Sequence, residues 1–499
     1  MKNLSSSNVG ERSKSFAIAV CLILGVLQGL ALARYGIKGI ALTAGLLYFY
    51  SLLRWPHAML VLVLVALFDG FGLIDPYSHF RIPGLFQLKD LLFASLLAPL
   101  LLQRQWSRRA GRVFRASRVI LVPVLAMLAL TTLQMLRTSL QFELPLKSCV
   151  MAGRHFWYYA LVPLAAIYVD GPRKQNLVYR LFLVLVSMQA VVMLTQTLVL
   201  LRGGGRFLAE NVLIMSSSLG GFVVQRPYLV GEPALVLGFS LAFWSFTSVK
   251  SGRLKLHLCC MAAVCALAIL LVNSRMRWLH AGLVVLIPML FYWRRLSRLG
   301  RSLSLGACTA LLAMTLLSAY GERGPSAVQG LTRRAFSAWT DFRNKEGTWE
   351  YRMDDNRFRF ELIRLHPVIG LGTVHPDYAW RFGAGELVRQ DDKLAYKRGI
   401  TSTDMGIVDL LIQFGLAGAL WATWYLVSVL RFCGRLLPPA HDETGLLRAA
   451  PLPLAAYMVG GLLTFVTLGL FTMPGDIVSH SCVLGILAAG ADTRAPSRL

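Results

Sequence analysis

The sequence predicts an all-α polytopic membrane protein with about 12–14 transmembrane helices and one large outward loop containing short helices. Hydrophobic residues make up 56% of the 499-residue chain and its mean hydropathy is +0.58, both above the norm for soluble globular domains. Apolar stretches of about 16–25 residues recur along the chain, the length at which a helix crosses the hydrocarbon core. Because these stretches lack the alternation of barrel strands, they predict helices.

Each apolar stretch is interpreted as one span. The spans lie near residues 16–33, 37–53, 58–75, 88–102, 119–136, 156–170, 177–201, 232–249, 256–273, 278–293, 303–320, 404–430, 450–473 and 476–491. They divide the chain into a cytoplasmic N-terminus at 1–15, transmembrane helices 1–11 within 16–320, a large outward loop at 321–403, C-terminal transmembrane helices within 404–492 and a cytoplasmic tail at 493–499.

Short clusters of basic residues predict the orientation of the chain. The densest runs from Arg104 to Arg118, and others fall near residues 173–174, 250–255, 294–301 and 431–448. With this span count every cluster lies on the same side as Lys14, which the positive-inside rule makes the cytoplasm. The segments that then face outward are 137–155, 202–231, 274–277 and 321–403. The formal charge of +26 is therefore interpreted as a topology signal, and no nucleic-acid partner is predicted.

The outward segments also carry arginines that topology does not require. Arg226 stands in a stretch where Pro227 and Pro233 predict an irregular turn. Arg275 and Arg277 follow a very short turn between two spans, which holds them at the bilayer surface. One interpretation is snorkelling or contact with lipid phosphate. The other is an anionic ligand outside the membrane, for which guanidinium is the preferred partner.

The large loop contains a predicted helix that begins near Asp355 and that Pro367 ends. Its apolar stripe comprises Phe358, Leu362 and Leu365, and its polar stripe comprises Arg357, Glu361 and Arg364. The stripes are typical of amphipathic packing, and both arginines are also within helical reach of Glu361. Arg357 lies in the first turn, where a helix favours anions. The helix runs into His366 and the turn at 368–372, whose backbone amides we expect to be exposed.

The loop returns to the membrane through Asp404. Its carboxylate is a candidate general base, and it is equally suited to cap the helix that begins at Met405. His366, His375 and the nearby acids lack a recognisable metal-ligand spacing, so no metal site is predicted.

These segments, taken in order, resemble the signature of the O-antigen ligase/O-antigen polymerase family. The resemblance rests on the sequence His-Pro-Val-Ile-Gly-Leu-Gly at 366–372, the exit sequence at 403–418, and the arginines in Arg226-Pro227 and Ser274-Arg275. It implies an enzyme of the bacterial inner membrane that uses undecaprenyl-pyrophosphate-linked glycans on the periplasmic face. No cofactor is implied. The implied partners are the lipid-linked oligosaccharide, membrane lipids, a chain-length regulator and a flippase.

The resemblance assigns roles to the candidate residues. The catalytic residues would be Asp404, with Arg226 and Arg275 stabilising the pyrophosphate in place of a metal. The substrate-binding residues would be Arg357, Arg277, Arg364 and His366. Ligases of the family typically have His-Asn where this chain has Asp404-Met405, and Glu where it has Gln413. These departures favour a polymerase over a ligase that transfers the glycan to lipid A-core, and a lipid-linked glycan transporter or flippase is a further alternative.

Overall fold

The computed structural model describes residues 37–68, 88–202, 204–205, 213–219, 222–228, 232–249, 251–272, 274–292, 302, 356–357, 359–382, 405–437, 447, 449–464 and 469–494. The predicted spans at 16–33 and 303–320 lie outside these residues, as do most of the loop at 321–403 and Asp404. Within the described part the chain is helical except for one hairpin and its connections, which confirms the predicted polytopic helical class.

The helices are α1 (Ile37–Arg54), α2 (Pro56–Leu67), α3 (Leu88–Ser95), α4 (Ala98–Leu102), α5 (Arg104–Ala116), α6 (Arg118–Gln141), α7 (Leu146–Gly153), α8 (Leu161–Tyr168), α9 (Gly171–Leu201), α10 (Ala234–Ser248), α11 (Gly252–Val272), α12 (Arg275–Tyr292), α13 (Gly406–Leu436), α14 (Pro451–Leu463) and α15 (Pro474–Arg494). Prolines open α2, α14 and α15, where the missing N–H needs no partner. Among the described residues, five helices are long and apolar enough to cross a membrane: α6, α9, α11, α13 and α15.

Several spans differ in detail from their predictions. The stretch at 88–102 forms two helices, α3 and α4, separated at Leu96–Leu97 just before Pro99. The stretch at 156–170 is a 3-10 helix at Arg154–Ala160 that continues into the eight-residue α8. Each segment is too short to span alone. Residues 156–170 are mostly buried, so neighbouring helices cover the backbone there, whereas one face of the stretch at 88–102, with Leu97 and Leu101, is exposed.

A β-hairpin precedes the segment for which the sequence predicts an irregular turn and includes its first residues up to Tyr228, while residues 229–231 lie outside the described part of the chain. Strands β1 (Leu213–Leu219) and β2 (Phe222–Tyr228) pair antiparallel, with Arg226 opposite Met215 and Pro227 opposite Ile214. Proline is tolerated because a two-stranded ribbon consists of edge strands, whose outer N–H groups need no ladder partner. β2 packs against α9 and α11, so the hairpin lies against the helical bundle.

Two hydrophobic clusters form the core of the described residues. The larger one runs through the bundle and is rich in aromatic contacts, such as the stacked rings of Trp421 and Tyr425. The smaller one joins the end of α6, α7, the loop segment at 362–374 and the start of α13. The second cluster therefore packs a large part of the described loop onto the membrane helices.

Candidate functional site

The turn at 366–372 is inserted into a break in α13. Gly415 interrupts this helix with φ 58° and ψ −150°. Across the break, the amide of Leu371 donates to the carbonyl of Ile412 at 2.6 Å, and the amide of Leu416 donates to the carbonyl of Pro367 at 2.8 Å. The turn thus supplies backbone partners for peptide groups that a broken helix leaves without them. We call this arrangement the turn–helix clasp, residues 366–372 with 412–417.

Two glycines permit the close approach of the two backbones. A Cβ atom on Gly370 would lie 2.6 Å from the carbonyl oxygen of Ile412, and one on Gly415 would lie 2.5 Å from the amide nitrogen of Gly370. Both residues also have positive φ angles, 68° and 58°, which L-residues rarely adopt. The expectation that the amides of the turn are exposed is wrong for Gly370 and Leu371, because both donate to protein carbonyls.

Arg137, near the end of α6, holds the turn of the clasp through hydrogen bonds to its backbone carbonyls. Its guanidinium donates to the carbonyl of Gly370 through both terminal nitrogens at 3.0 Å, and to the carbonyl of Ile369 at 3.2 Å. Gln134 also donates to the Ile369 carbonyl, and its own side-chain oxygen accepts from Arg137 at 2.9 Å. This arginine is therefore occupied by backbone carbonyls of the turn.

We expect Arg137→Ala to loosen the loop segment. The substitution removes charge-assisted hydrogen bonds to two carbonyls, and a hydrogen bond to a charged group contributes about 1.5–3 kcal/mol. Hydrogen–deuterium exchange of residues 366–372 in the purified protein should accelerate, while exchange in the middle of α9 should not change. Arg137→Lys should restore part of the protection. Unchanged exchange in Arg137→Ala would show that the clasp holds without this residue.

The loop helix, described at 356–357 and 359–365, has a different buried face from the predicted one. Leu362 is buried, but Leu365 is 71% exposed, whereas Arg359 is buried and donates to the side chain of Asn356 at 2.9 Å. Arg357 and Arg364 are exposed, as the polar stripe predicts.

His366 follows this helix and lies edge-on to the ring of Phe142, with the ring centroids 6.0 Å apart. Partial burial lowers the pKa of His366, and the positive charge of Arg137 lowers it further. Both causes favour a neutral imidazole at neutral pH. His366 is therefore suited to neutral hydrogen bonding rather than to charge pairing.

A buried charged cluster lies where three helices begin. Arg277, in the first turn of α12, has its Nε 3.8 Å from a carboxylate oxygen of Glu232, just before α10. Its Nη1 lies 3.7 Å from Oδ1 of Asp476, in the first turn of α15. Relative exposures are 8% for Arg277 and for Glu232 and 1% for Asp476. Buried charges of both signs are tolerated here because they compensate one another.

Aromatic and polar neighbours complete this cluster. The hydroxyl of Tyr457, on α14, hydrogen-bonds Oδ1 of Asp476. His280, one turn after Arg277, stacks on the Tyr457 ring with centroids 4.8 Å apart, and its Nε2 lies 2.9 Å from the Tyr457 carbonyl oxygen. The cluster thus joins α10, α12, α14 and α15 at one end of the bundle, which is the end that the sequence predicts to face outward.

The structure describes the three predicted catalytic residues to different extents. Arg226 lies on β2, and Arg275 is the first residue of α12. For both residues the structure describes the backbone and not the side chain. Asp404 lies outside the described residues. Its roles as general base and as helix cap therefore stay predictions; α13 begins at Gly406, and Met405 occupies the cap position without a side-chain hydrogen bond.

Three important residues of this region had weak signals in the sequence. Glu232 and Asp476 stand at the starts of apolar stretches, where acids are common and carry little information. Arg137 lies in a segment that is predicted to face outward, at 137–155. Its position in the sequence does not indicate that its partners are backbone carbonyls. A charged residue next to a span start is the only signal that could have drawn attention to the cluster.

Part of the chain matches a protein-family model. A family model described as "Wzy_C: O-Antigen ligase" matches residues 260–422, about one third of the chain. The matched range begins within α11 and ends within α13, so it includes Arg275, Arg277 and the turn–helix clasp but not Arg226. No curated protein matches the chain.

Proposed function

We propose that this chain, whose residues 260–422 match the O-antigen ligase family model, polymerises undecaprenyl-pyrophosphate-linked repeat units of an O-antigen or exopolysaccharide. The reaction takes place at the periplasmic face of the bacterial inner membrane. The family and the spans indicate a membrane enzyme of glycan assembly. The polymerase reaction, the lipid-linked donor and the periplasmic side of the membrane are what we propose in addition.

The observation that supports the site most directly is the ion pair between Arg277 and Glu232. Arg275 lies two residues before Arg277, and Arg226 lies six residues before Glu232. The pair joins the start of α12, which carries Arg275, to the segment just before α10. We propose that Arg226, on the preceding strand β2, lies at the same end of the bundle. Guanidinium groups at that position suit a pyrophosphate, because their planar donors match phosphate oxygens bidentately.

The proposed reaction is a glycosyl transfer between two lipid-linked glycans. An acceptor hydroxyl attacks the anomeric carbon of the donor, the new C–O bond forms, and the bond from that carbon to the pyrophosphate oxygen breaks. Arg226 and Arg275 stabilise the charge that develops on the leaving undecaprenyl pyrophosphate. Asp404 takes the proton of the acceptor hydroxyl as general base. Arg357, Arg364 and His366 bind the glycan, and the reaction needs no metal or cofactor.

Arg277 has a different part in this scheme from the one that the sequence suggests. Its guanidinium is buried between two carboxylates, so its positive charge is already compensated. We assign it to holding Arg275 in place rather than to direct contact with the pyrophosphate.

The positions that depart from the ligase pattern favour polymerisation. Met405, where ligases have Asn, is buried in the second core cluster together with Leu362 and Leu371. Gln413, where Glu is usual, is 2% exposed and lies next to the break in α13. An amide in place of a carboxylate removes one negative charge within the clasp. The family description favours the ligase, with lipid A-core as acceptor, as the second candidate.

Incubation of the purified protein with lipid-linked repeat units tests the proposal. We expect a ladder of longer products from the wild type. Arg226→Ala and Arg275→Ala should each reduce the rate by about 10²–10³-fold, and Asp404→Ala by about 10²–10⁴-fold. Arg173→Ala, an exposed arginine near the start of α9, is the matched control and should retain the wild-type rate.

The molecule that accepts the glycan distinguishes a polymerase from a ligase. Products that lengthen only on the lipid carrier support a polymerase, whereas transfer to added lipid A-core would support the ligase instead. Ladders that are unchanged in all three site variants would refute the assigned residues. Movement of lipid-linked units across vesicles without any lengthening would identify a transporter.

A further inference from the structure

An exposed row of arginines runs along α5 at the basic end of the bundle. Arg104, Arg108, Arg112 and Arg115 are all exposed, and their spacing of four, four and three residues places them on one face of the helix. The sequence has no acidic residue between Asp90 and Glu143. Within the described part of the chain, none of the four arginines pairs with a carboxylate. We call these four residues the arginine stripe.

The opposite face of α5 fixes the helix to the bundle. Arg109 forms an ion pair with Asp170, and Val113 is fully buried. The ring of Trp106 lies edge-on to the ring of Tyr168 with a centroid distance of 5.3 Å. Because residues 106, 109 and 113 lie on the face opposite to the stripe, the four arginines point away from the protein. The stripe is therefore a rigid surface and not a mobile tail.

The neighbours of α5 place it at the boundary of the hydrocarbon core. Leu101, three residues before the helix, is 82% exposed, as a lipid-facing side chain would be. The side chain of Gln103 donates to the carbonyl of Leu53 at 2.9 Å, next to exposed Arg54 and Trp55. Tryptophan and arginine adjacent to apolar helix ends are typical of the headgroup layer. The stripe thus begins at the depth of the lipid phosphates.

We infer that the arginine stripe is a binding surface for anionic phospholipid headgroups of the leaflet at this end of the protein. Each guanidinium presents paired donors that match phosphate oxygens. Because a single helix already orders the four groups, binding a headgroup costs less conformational entropy than it would with four arginines on a flexible segment. A zwitterionic headgroup carries no net charge to complement the stripe, so phosphatidylglycerol should bind in preference to phosphatidylcholine.

The rival explanation is that the stripe acts only during membrane insertion, as a signal that retains this segment on one side. That explanation requires positive charge near the span but no bound lipid in the mature protein. The purified, inserted protein therefore distinguishes the two explanations.

Native mass spectrometry of the full-length protein, titrated with phosphatidylglycerol or phosphatidylcholine, tests the inference. One basic residue near an anionic surface strengthens binding by about fivefold. The variant with Arg104, Arg108, Arg112 and Arg115 all replaced by Gln should therefore bind phosphatidylglycerol at least about a hundredfold more weakly than wild type. The corresponding Lys variant should retain most of the binding, and raised salt should weaken binding by wild type.

The matched control removes the same charge elsewhere, with Gln in place of exposed Arg173, Arg253, Arg431 and Arg435. This variant should keep the preference of wild type for phosphatidylglycerol. Equal binding of both lipids by wild type, or equal losses in the stripe and control variants, would overturn the inference. If the fourfold Gln variant cannot be purified, the four single Gln variants replace it, and each must weaken phosphatidylglycerol binding for the inference to stand.

Discussion

Replacing Gly415 by alanine is expected to destabilise the protein by about 2–6 kcal/mol and to eliminate most of the proposed polymerase activity. The backbone conformation at this residue, φ 58° with ψ −150°, costs a residue with a side chain about 1–3 kcal/mol. The new Cβ would also lie 2.5 Å from the amide nitrogen of Gly370 and 2.7 Å from the carbonyl oxygen of Pro367. Overpacking of this kind adds about 1–3 kcal/mol.

Gly434→Ala is the matched control, since it lies in the same helix, where a Cβ would contact nothing within 4 Å. Alanine in place of a helical glycine should stabilise α13 by about 0.5–1 kcal/mol. Thermal unfolding of the two detergent-purified variants measures the contrast. Equal melting temperatures for Gly415→Ala and wild type would show that the turn–helix clasp does not need a glycine at the break.

The sequence predicts the helical class well because the bilayer dictates it. A helix must be about 20 apolar residues long to cross the hydrocarbon core, so length and composition alone predict the five described helices that are long and apolar enough to cross it. The hairpin is the exception. Gly220-Gly221 separates β1 and β2 in the sequence, which is a recognised hairpin signal, but the prolines of the segment favoured an irregular turn.

The clasp could be predicted only in part. The glycines at 370, 372 and 415 and the proline at 367 mark both segments as special, and the family resemblance depends on them. Their role is an association between two backbones distant in sequence. No local pattern encodes the fact that Leu416 donates to Pro367, or that Arg137 on a third segment reaches Gly370. Side-chain periodicity describes faces of helices, and here the contact is made by peptide groups.

The sequence also could not predict which acidic residues compensate the charge of Arg277. Arg275 and Arg277 look equivalent as neighbouring arginines of one short turn. Only the fold brings Glu232 and Asp476 from other helices to Arg277. The two arginines therefore differ in their surroundings rather than in their chemistry, and mutation can separate them.

Arg277→Met is expected to lower the free energy of unfolding by about 3–5 kcal/mol, because removing one member of a buried charge group leaves the others uncompensated. Asp476, at 1% exposure, would keep a carboxylate in the bundle beside the Tyr457 hydroxyl, without the compensating guanidinium. Arg253→Met, at an exposed position on α11, is the matched control and should change stability by less than about 0.5 kcal/mol.

A second substitution identifies the cause of the loss. Arg277→Met combined with Asp476→Asn removes a positive and a negative charge together, so the double variant should be more stable than Arg277→Met alone. Product formation per folded molecule should fall far less in Arg277→Met than in Arg275→Ala, since we assign Arg277 to positioning and Arg275 to the pyrophosphate. If Arg277→Met unfolds like wild type and yet makes no product, Arg277 contacts the substrate directly and the charged cluster belongs to the reaction itself.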